Sequence, residues 1–359
     1  MKTRRLLFLF SFLVVAFIAI ESLEHERKTD YYDQQIAAAN LMVDALEAIK
    51  KERIERDIEI DKDLDPAETG IIGVPWPDYD EPSISTTLGS LEAKRLSTDP
   101  NFAALIVGYF HELDMEAGDG VAINFSGSFP ALNVAVLCAV ETMDLEPFIA
   151  SSLGSSTYGA NHIDFTYVDM EEILYEQRIL SHRTAVLSLG GANDQLLEED
   201  DEDFRDDLLE RYRSRGYATI DEDDLGKNIV TRYRTYSEEL RTISAFVNVG
   251  GNSVGFGRHQ TTYPNGLTRR MSVSVVDDSG LIERFLRDDV PVIHLLNIED
   301  LARRQGMDTS SEDNKRIGTG SFYRETEHSL PAIILTVACF FGVIGYDRYQ
   351  RKKEAIASD

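Results

Sequence analysis

The stretch from Val121 to Gly159, VAINFSGSFPALNVAVLCAVETMDLEPFIASSLGSSTYG, constrains the fold more than any other part of the chain. Val121 to Phe125 is apolar apart from Asn124 and is bounded by Gly120 and Gly127, which suits a short buried strand. SGSFP then turns the chain, Ala131 to Met143 is an apolar run of good helix formers, and Pro147 to Ala150 leads into a second Ser/Gly loop. A helix joining two apolar strands returns the chain by a crossover, so the strands are expected parallel and the crossover right-handed. The expected fold is therefore α/β, a Rossmann-like and mostly parallel sheet with helices on both faces. Loops that follow such strands lie at the carboxyl edge, where small ligands bind.

The residues at that edge are small and polar. Ser126, Gly127 and Ser128 stand before the helix: Ser128 is placed to cap it, Gly127 permits close backbone approach, and Pro130 falls near the first helical position. Free N–H groups at a helix start favour an anion, although a well-capped helix accounts for the same residues. The loop has no Lys and is neither a P-loop nor a GxGxxG fingerprint, and Asn124 stands where a nucleophile elbow around Ser126 needs Gly. The strand-then-small-residue pattern recurs. Ser151, Ser152 and Ser155 follow the second strand; Ala185 to Leu189 precede Gly190, Gly191 and Asn193; Phe246 to Val249 precede Gly250, Gly251 and Asn252; Val290 to Leu296 precede Asn297. Five strands ending this way predict a Ser/Gly/Asn-lined crevice, and Lys94 and Arg95, a rare basic pair in their region, are expected to reach the same edge.

Ser128 is the candidate nucleophile, with His162 or His259 as base and Asp194 as orienter, because triads occur in several chain orders. The histidines, among them His182 and His294, lack HExxH-type spacing, and Cys138 and Cys339 are the only cysteines, so no metal or cofactor is expected. The segment at 195–245 reads as a charged helical insertion. Its carboxylates lack the Gly-spaced positions of a calcium loop and read as a solvated face. Its interleaved Arg211, Arg213, Arg215, Arg232 and Arg234 either clamp carboxylates or pair along their own helices.

Two apolar segments frame the chain. Leu6 to Ile20 follows Lys2, Arg4 and Arg5, and Leu330 to Tyr346 precedes Arg348, Arg351, Lys352 and Lys353. Each is near the lower length limit for a spanning helix and carries its basic flank on one side. The expectation is two flanking transmembrane helices, both termini cytoplasmic and the body outside. ESLEHERK after the first segment offers no A-x-A cleavage site, so an uncleaved anchor is expected. The chain divides accordingly into an anchor at 1–23, an amphipathic helix or stalk at 24–65, an α/β body at 66–328, a second span at 329–348 and a basic tail at 349–359. With 36 basic and 63 acidic residues and a net charge of −27, the protein is a poor partner for nucleic acid.

The run TTLGSLEAKRLSTDPNFAALIV, followed by GDGVAINFSGSFPALNVAVLCA and SSLGSSTYGAN, resembles the poly-γ-glutamate system protein family, accessories of bacterial poly-γ-glutamate synthesis and export. The likeness is most specific from Gly70 to Asp169. It implies a bacterial cytoplasmic-membrane protein of capsule biosynthesis, with other membrane proteins of the synthesis complex as partners and the polymer or a small anion as ligand. The resemblance supplies a pathway and no reaction. Two other functions suit the same residues: a serine-dependent periplasmic hydrolase or transferase acting on the polymer, and a small-anion sensor.

Overall fold

The computed structural model describes residues 25–77, 83–197, 202–258, 262–309 and 316–327, with isolated positions within 11–15 and 334–353. The chain forms two compact units, Tyr31–Tyr323 and a smaller one from the segments on either side.

The larger unit is built on a seven-stranded sheet: β1 (Gly120–Ser126), β2 (Glu146–Ser152), β3 (Val186–Ser188), β4 (Ala218–Thr219), β5 (Ala245–Val249), β6 (Gly266–Thr268) and β7 (Val292–Leu295), in the order β4-β3-β2-β1-β5-β7-β6. Every neighbouring pair is parallel except β6 with β7, so the sheet is mixed, with an antiparallel edge. The chain winds outward from β1 to β4, then returns to lay β5 on the other side of β1. The strand order reverses between β1 and β5, which opens a crevice at their carboxyl ends.

Alternation along the strands sorts their side chains to two faces. Val121, Ile123 and Phe125 of β1 join one core with Val247 and Ile293, while Ala122 joins the other with Phe246 and Val292. The first face is covered by α1 (Tyr32–Glu55), α3 (Asn101–Glu112) and α4 (Pro130–Thr142), with the short α2 (Leu91–Ser97) leading into α3. The helix α4 is buried continuously from Pro130 to Val140, as expected for a helix that is apolar all round. A Leu137→Ala change there would cost about 2–5 kcal/mol through the cavity it leaves. The second face carries α7 (Leu225–Glu239) and α9 (Leu281–Arg287), whose Ile229, Tyr236, Leu281 and Phe285 complete that core.

Several expectations are revised. Flanking transmembrane helices are not supported: among the described residues no helix is long and apolar enough to cross a membrane. The physical reason is a mismatch of length and polarity. With 24 residues α1 is long enough but carries Asp33, Asp44 and Glu47, whereas the apolar α3 and α4 have 12 and 13 residues against about 20 required. Most of 6–20 and about half of 330–346 lie outside the described residues. Of the two readings of 24–65, an amphipathic helix or a stalk, the structure shows the first: Tyr32–Glu55 packs as a core helix of the larger unit. Its buried stripe is Ala38, Met42, Ala45 and Ile49, in which the two alanines admit neighbouring helices closely, while Val43 and Ile54 are exposed. The charged segment at 195–245 is integral to the sheet, since it supplies β4 and α7.

In the smaller unit, His25–Lys28 pairs antiparallel with Arg324–Glu327. Cross-strand ion pairs run from Arg324 to Glu26 at 2.8 Å and from Arg27 to Glu325 at 3.4 Å. Both are solvated and contribute at most about 1 kcal/mol each.

Candidate functional site

A cavity of about 550 Å³ lies at the carboxyl edge and collects loops that follow five strands: Ser126 and Ser128 after β1, Gly154 and Ser156 after β2, Gly191 after β3, Gly251 and Asn252 after β5, and Leu296 and Asn297 after β7. Residues 86–90 and Lys94 close the remaining wall, and the exposed Glu299 stands on the rim.

Lys94 is the chemical centre of this wall. Ser90 caps α2 by accepting from Ala93 N, which directs the first turn of that helix against the post-β1 loop. The Lys94 residue is 2% exposed. Its Nζ donates to Ser156 Oγ at 2.9 Å and to the Ser128 carbonyl, and lies 3.5 Å from the centroid of the Phe129 ring. Burial pushes this amine down to about 7, a shift that the π face of Phe129 opposes in part. Near neutral pH, Lys94 is therefore available as a base, in direct contact with a hydroxyl that lines the cavity.

The hydroxyls form a row. Ser156 N donates to Ser128 Oγ at 3.0 Å, and Ser126 Oγ donates to Ser128 Oγ at 3.1 Å. The Gly250–Gly251 turn abuts the far end, because a Cβ built on Gly250 would stand 3.0 Å from Ser126 Cβ, and φ there is +86°. Only Gly tolerates both conditions.

A buried polar floor underlies the row. Asn124, Asn248 and His294 occupy matched positions on β1, β5 and β7. Asn124 Nδ2 donates to Asn248 Oδ1 at 2.7 Å, and Asn248 Nδ2 meets His294 Nδ1 at 3.1 Å. Burial pushes His294 down to about 4, so it is neutral at physiological pH. Arg232 on α7 is wholly buried and donates to Asn124 Oδ1 at 2.7 Å, to Ser188 Oγ and, at 3.4 Å, to Asp194 Oδ2. Asp194 also accepts from Asn228 Nδ2 at 2.7 Å and Gly190 N at 3.0 Å. Burial raises the Asp194 carboxyl, with Arg232 and these donors opposing.

Of the residues expected at the edge, the cavity brings together Lys94, Ser126, Ser128, Gly191, Gly251 and Asn252. The others stand elsewhere. Arg95 turns away, donating to the carbonyls of Leu64 and Asp63. Ser151 bonds Thr184 Oγ1 at 2.6 Å, Ser152 meets Ser188 Oγ at 3.3 Å, and Ser155 donates to Gly127 O at 3.0 Å, all three buried beneath the row. Gly127 packs on the Leu153 carbonyl and Gly190 on Ser152, Gly250 backs Ser126, and Asn193 is exposed with φ of 53°. Ser128 does not cap α4: Phe129 holds that position without a side-chain bond, because the Ser128 hydroxyl serves Ser156 N instead. Among the described residues no His–Asp triad is assembled. Asp194 is committed to Arg232, and His162 Nδ1 accepts from Asp164 N at 3.2 Å; His259 lies outside the described residues. Arg232 pairs with Asp194 from another element and not along its own helix.

Sequence reasoning missed Ser156 and did not single out Arg232 from its neighbouring arginines. Ser156 was hidden by its neighbour Ser155. The pair lies on a two-residue strand beside Ser85–Thr87, and the period of two sends Ser155 inward and Ser156 to the cavity. Arg232 opens the stretch RYRTY, which gives no sign of which arginine is buried. Comparison with protein-family models, with curated proteins and with solved structures gives no match.

Proposed function

We propose that this protein is an accessory enzyme of poly-γ-glutamate production that cleaves or transfers γ-glutamyl acyl groups with a serine–lysine pair. Ser156 is the nucleophile and Lys94 the general base. The reading rests on one observation, the 2.9 Å contact between a buried, counter-charge-poor lysine amine and a cavity-lining hydroxyl. The pathway comes from the sequence resemblance alone.

In the reaction, neutral Lys94 Nζ takes the Ser156 proton as Oγ bonds the carbonyl carbon. Collapse of the tetrahedral adduct breaks the C–N bond, and the Lys94 ammonium returns the proton to the leaving amine. Water, or the amine of another chain, then attacks the acyl-serine with Lys94 again as base, which gives hydrolysis or transfer. The net charge of −27 opposes long-range capture of a polyanion, so recognition falls to the cleft itself.

The test is the appearance of new amino termini from a γ-glutamyl oligomer. Ser156→Ala and Lys94→Met should each lower turnover by about a thousandfold or more, as loss of a nucleophile or its base does elsewhere. Undiminished turnover by Ser156→Ala, or none by the unmodified protein across pH 6 to 9, would remove the acyl-transfer reading.

A further inference from the structure

Asn252 has a donor that the acyl-transfer scheme leaves unused. The residue is 8% exposed and lines the cavity, and its Nδ2 has no hydrogen-bond partner among the described residues. The orientation of the amide is fixed from behind. Its Oδ1 accepts from Gly255 N at 2.9 Å and from Asn124 Nδ2 at 3.1 Å, so a flipped amide would set donors against donors. Nδ2 is therefore the end left without a partner, buried beside the cavity that Asn252 lines. A buried donor without a partner lowers stability, and an acceptor brought by a ligand removes that cost.

The residues behind Asn252 indicate which acceptor suits it. The buried Arg232 guanidinium donates to Asn124 Oδ1, and Asn124 Nδ2 in turn donates to Asn252 Oδ1. Each bond polarises the next, which strengthens Nδ2 as a donor toward a negatively charged oxygen. Gly250, two residues before Asn252, stands against the Ser126 end of the hydroxyl row, while Lys94 and Ser156 hold the other end.

We infer that Asn252 Nδ2 binds a carboxylate oxygen of the substrate and so selects acyl groups that bear a carboxylate near the scissile carbonyl, with Arg232 as a positioning residue acting through Asn124. A γ-glutamyl unit, with its α-carboxylate three carbons from the γ-carbonyl, is of this class. The assignment rests on the acyl-transfer reading only for which carbonyl lies at Ser156.

The experiment uses Ser156→Ala protein and a γ-glutamyl trimer, with affinity measured by calorimetric titration. Adding Asn252→Asp keeps both bonds to Oδ1 and the cap of Ser253–Phe256 but replaces the donor with a charged acceptor. Affinity should fall at least about tenfold in protein whose unfolding transition remains cooperative. If that variant does not fold, Asn252→Ser retains a capping oxygen, removes Nδ2 and carries the same expectation. Equal affinity in parent and variant would overturn the inference. So would no binding of the trimer by the parent, or equal binding of an analogue in which the carboxylates are carboxamides. Because the readout is binding to protein without the nucleophile, failure of turnover in the unmodified enzyme counts against the acyl-transfer reading alone.

Discussion

Replacing Lys94 with Met should make the protein more stable at neutral pH and less stable in alkali. Lys94 falls from 10.5 to about 7 on burial. At 1.36 kcal/mol per unit, keeping it in the fold costs about 4–5 kcal/mol at pH 7 and below. The sign follows from the direction of the shift. With the folded value below the unfolded one, the cost is absent above about 10.5, grows as pH falls toward 7, and is constant below that. Met removes the cost while keeping the apolar stem over Phe129. It also gives up two hydrogen bonds, to Ser156 and the Ser128 carbonyl, worth about 1 kcal/mol each. The variant should therefore gain about 1–3 kcal/mol at pH 7 and lose about 1–2 kcal/mol at pH 10, a swing of about 3–4 kcal/mol. Urea unfolding of both proteins at the two pH values measures it. A variant destabilised equally at both would mean that Lys94 is an ordinary charged anchor, and the reasoning about its basicity would fail.

Turnover should rise with pH and level off above about 7 as Lys94 loses its proton, so a rate that falls over that range would point to a different base. Raising ionic strength from about 0.01 to 0.15 M should lower KM for γ-glutamyl oligomers several-fold by screening the acidic body, with kcat unmoved; a rising KM would indicate net attraction instead. Arg232→Met should destabilise the protein by about 3–5 kcal/mol by leaving the buried Asp194 without its cation, read as a lowered unfolding midpoint. An unchanged midpoint would show that the floor network is dispensable.

What could be read in advance divides along physical lines. The βαβ unit was legible because Val121–Phe125 and Ala131–Met143 are bounded by Gly, Ser and Pro, which have local meaning, and a parallel crossover leaves one arrangement. The gathering of Ser126, Gly191 and Asn252 at one edge follows from that topology. The role of each hydroxyl was not legible, since which of Ser155 and Ser156 faces the cavity depends on pairing with Ser85–Thr87, a short strand with no periodicity of its own. The partners of Arg232 were hidden for a similar reason. They come from β1 and from the loops around Gly190, remote in sequence, and nothing within TRYRTYSEE distinguishes a buried arginine from a solvated one. The terminal apolar runs invited a membrane reading from hydropathy alone, whereas among the described residues no helix is long and apolar enough to cross a membrane.

The central claim is that Lys94 activates Ser156. Treatment with a fluorophosphonate at pH 8, followed by peptide mass mapping, tests this directly. The account predicts covalent modification of Ser156 in the unmodified protein and its loss in Lys94→Met. A probe on Ser126 or Ser128, or on Ser156 to the same extent without Lys94, would contradict it.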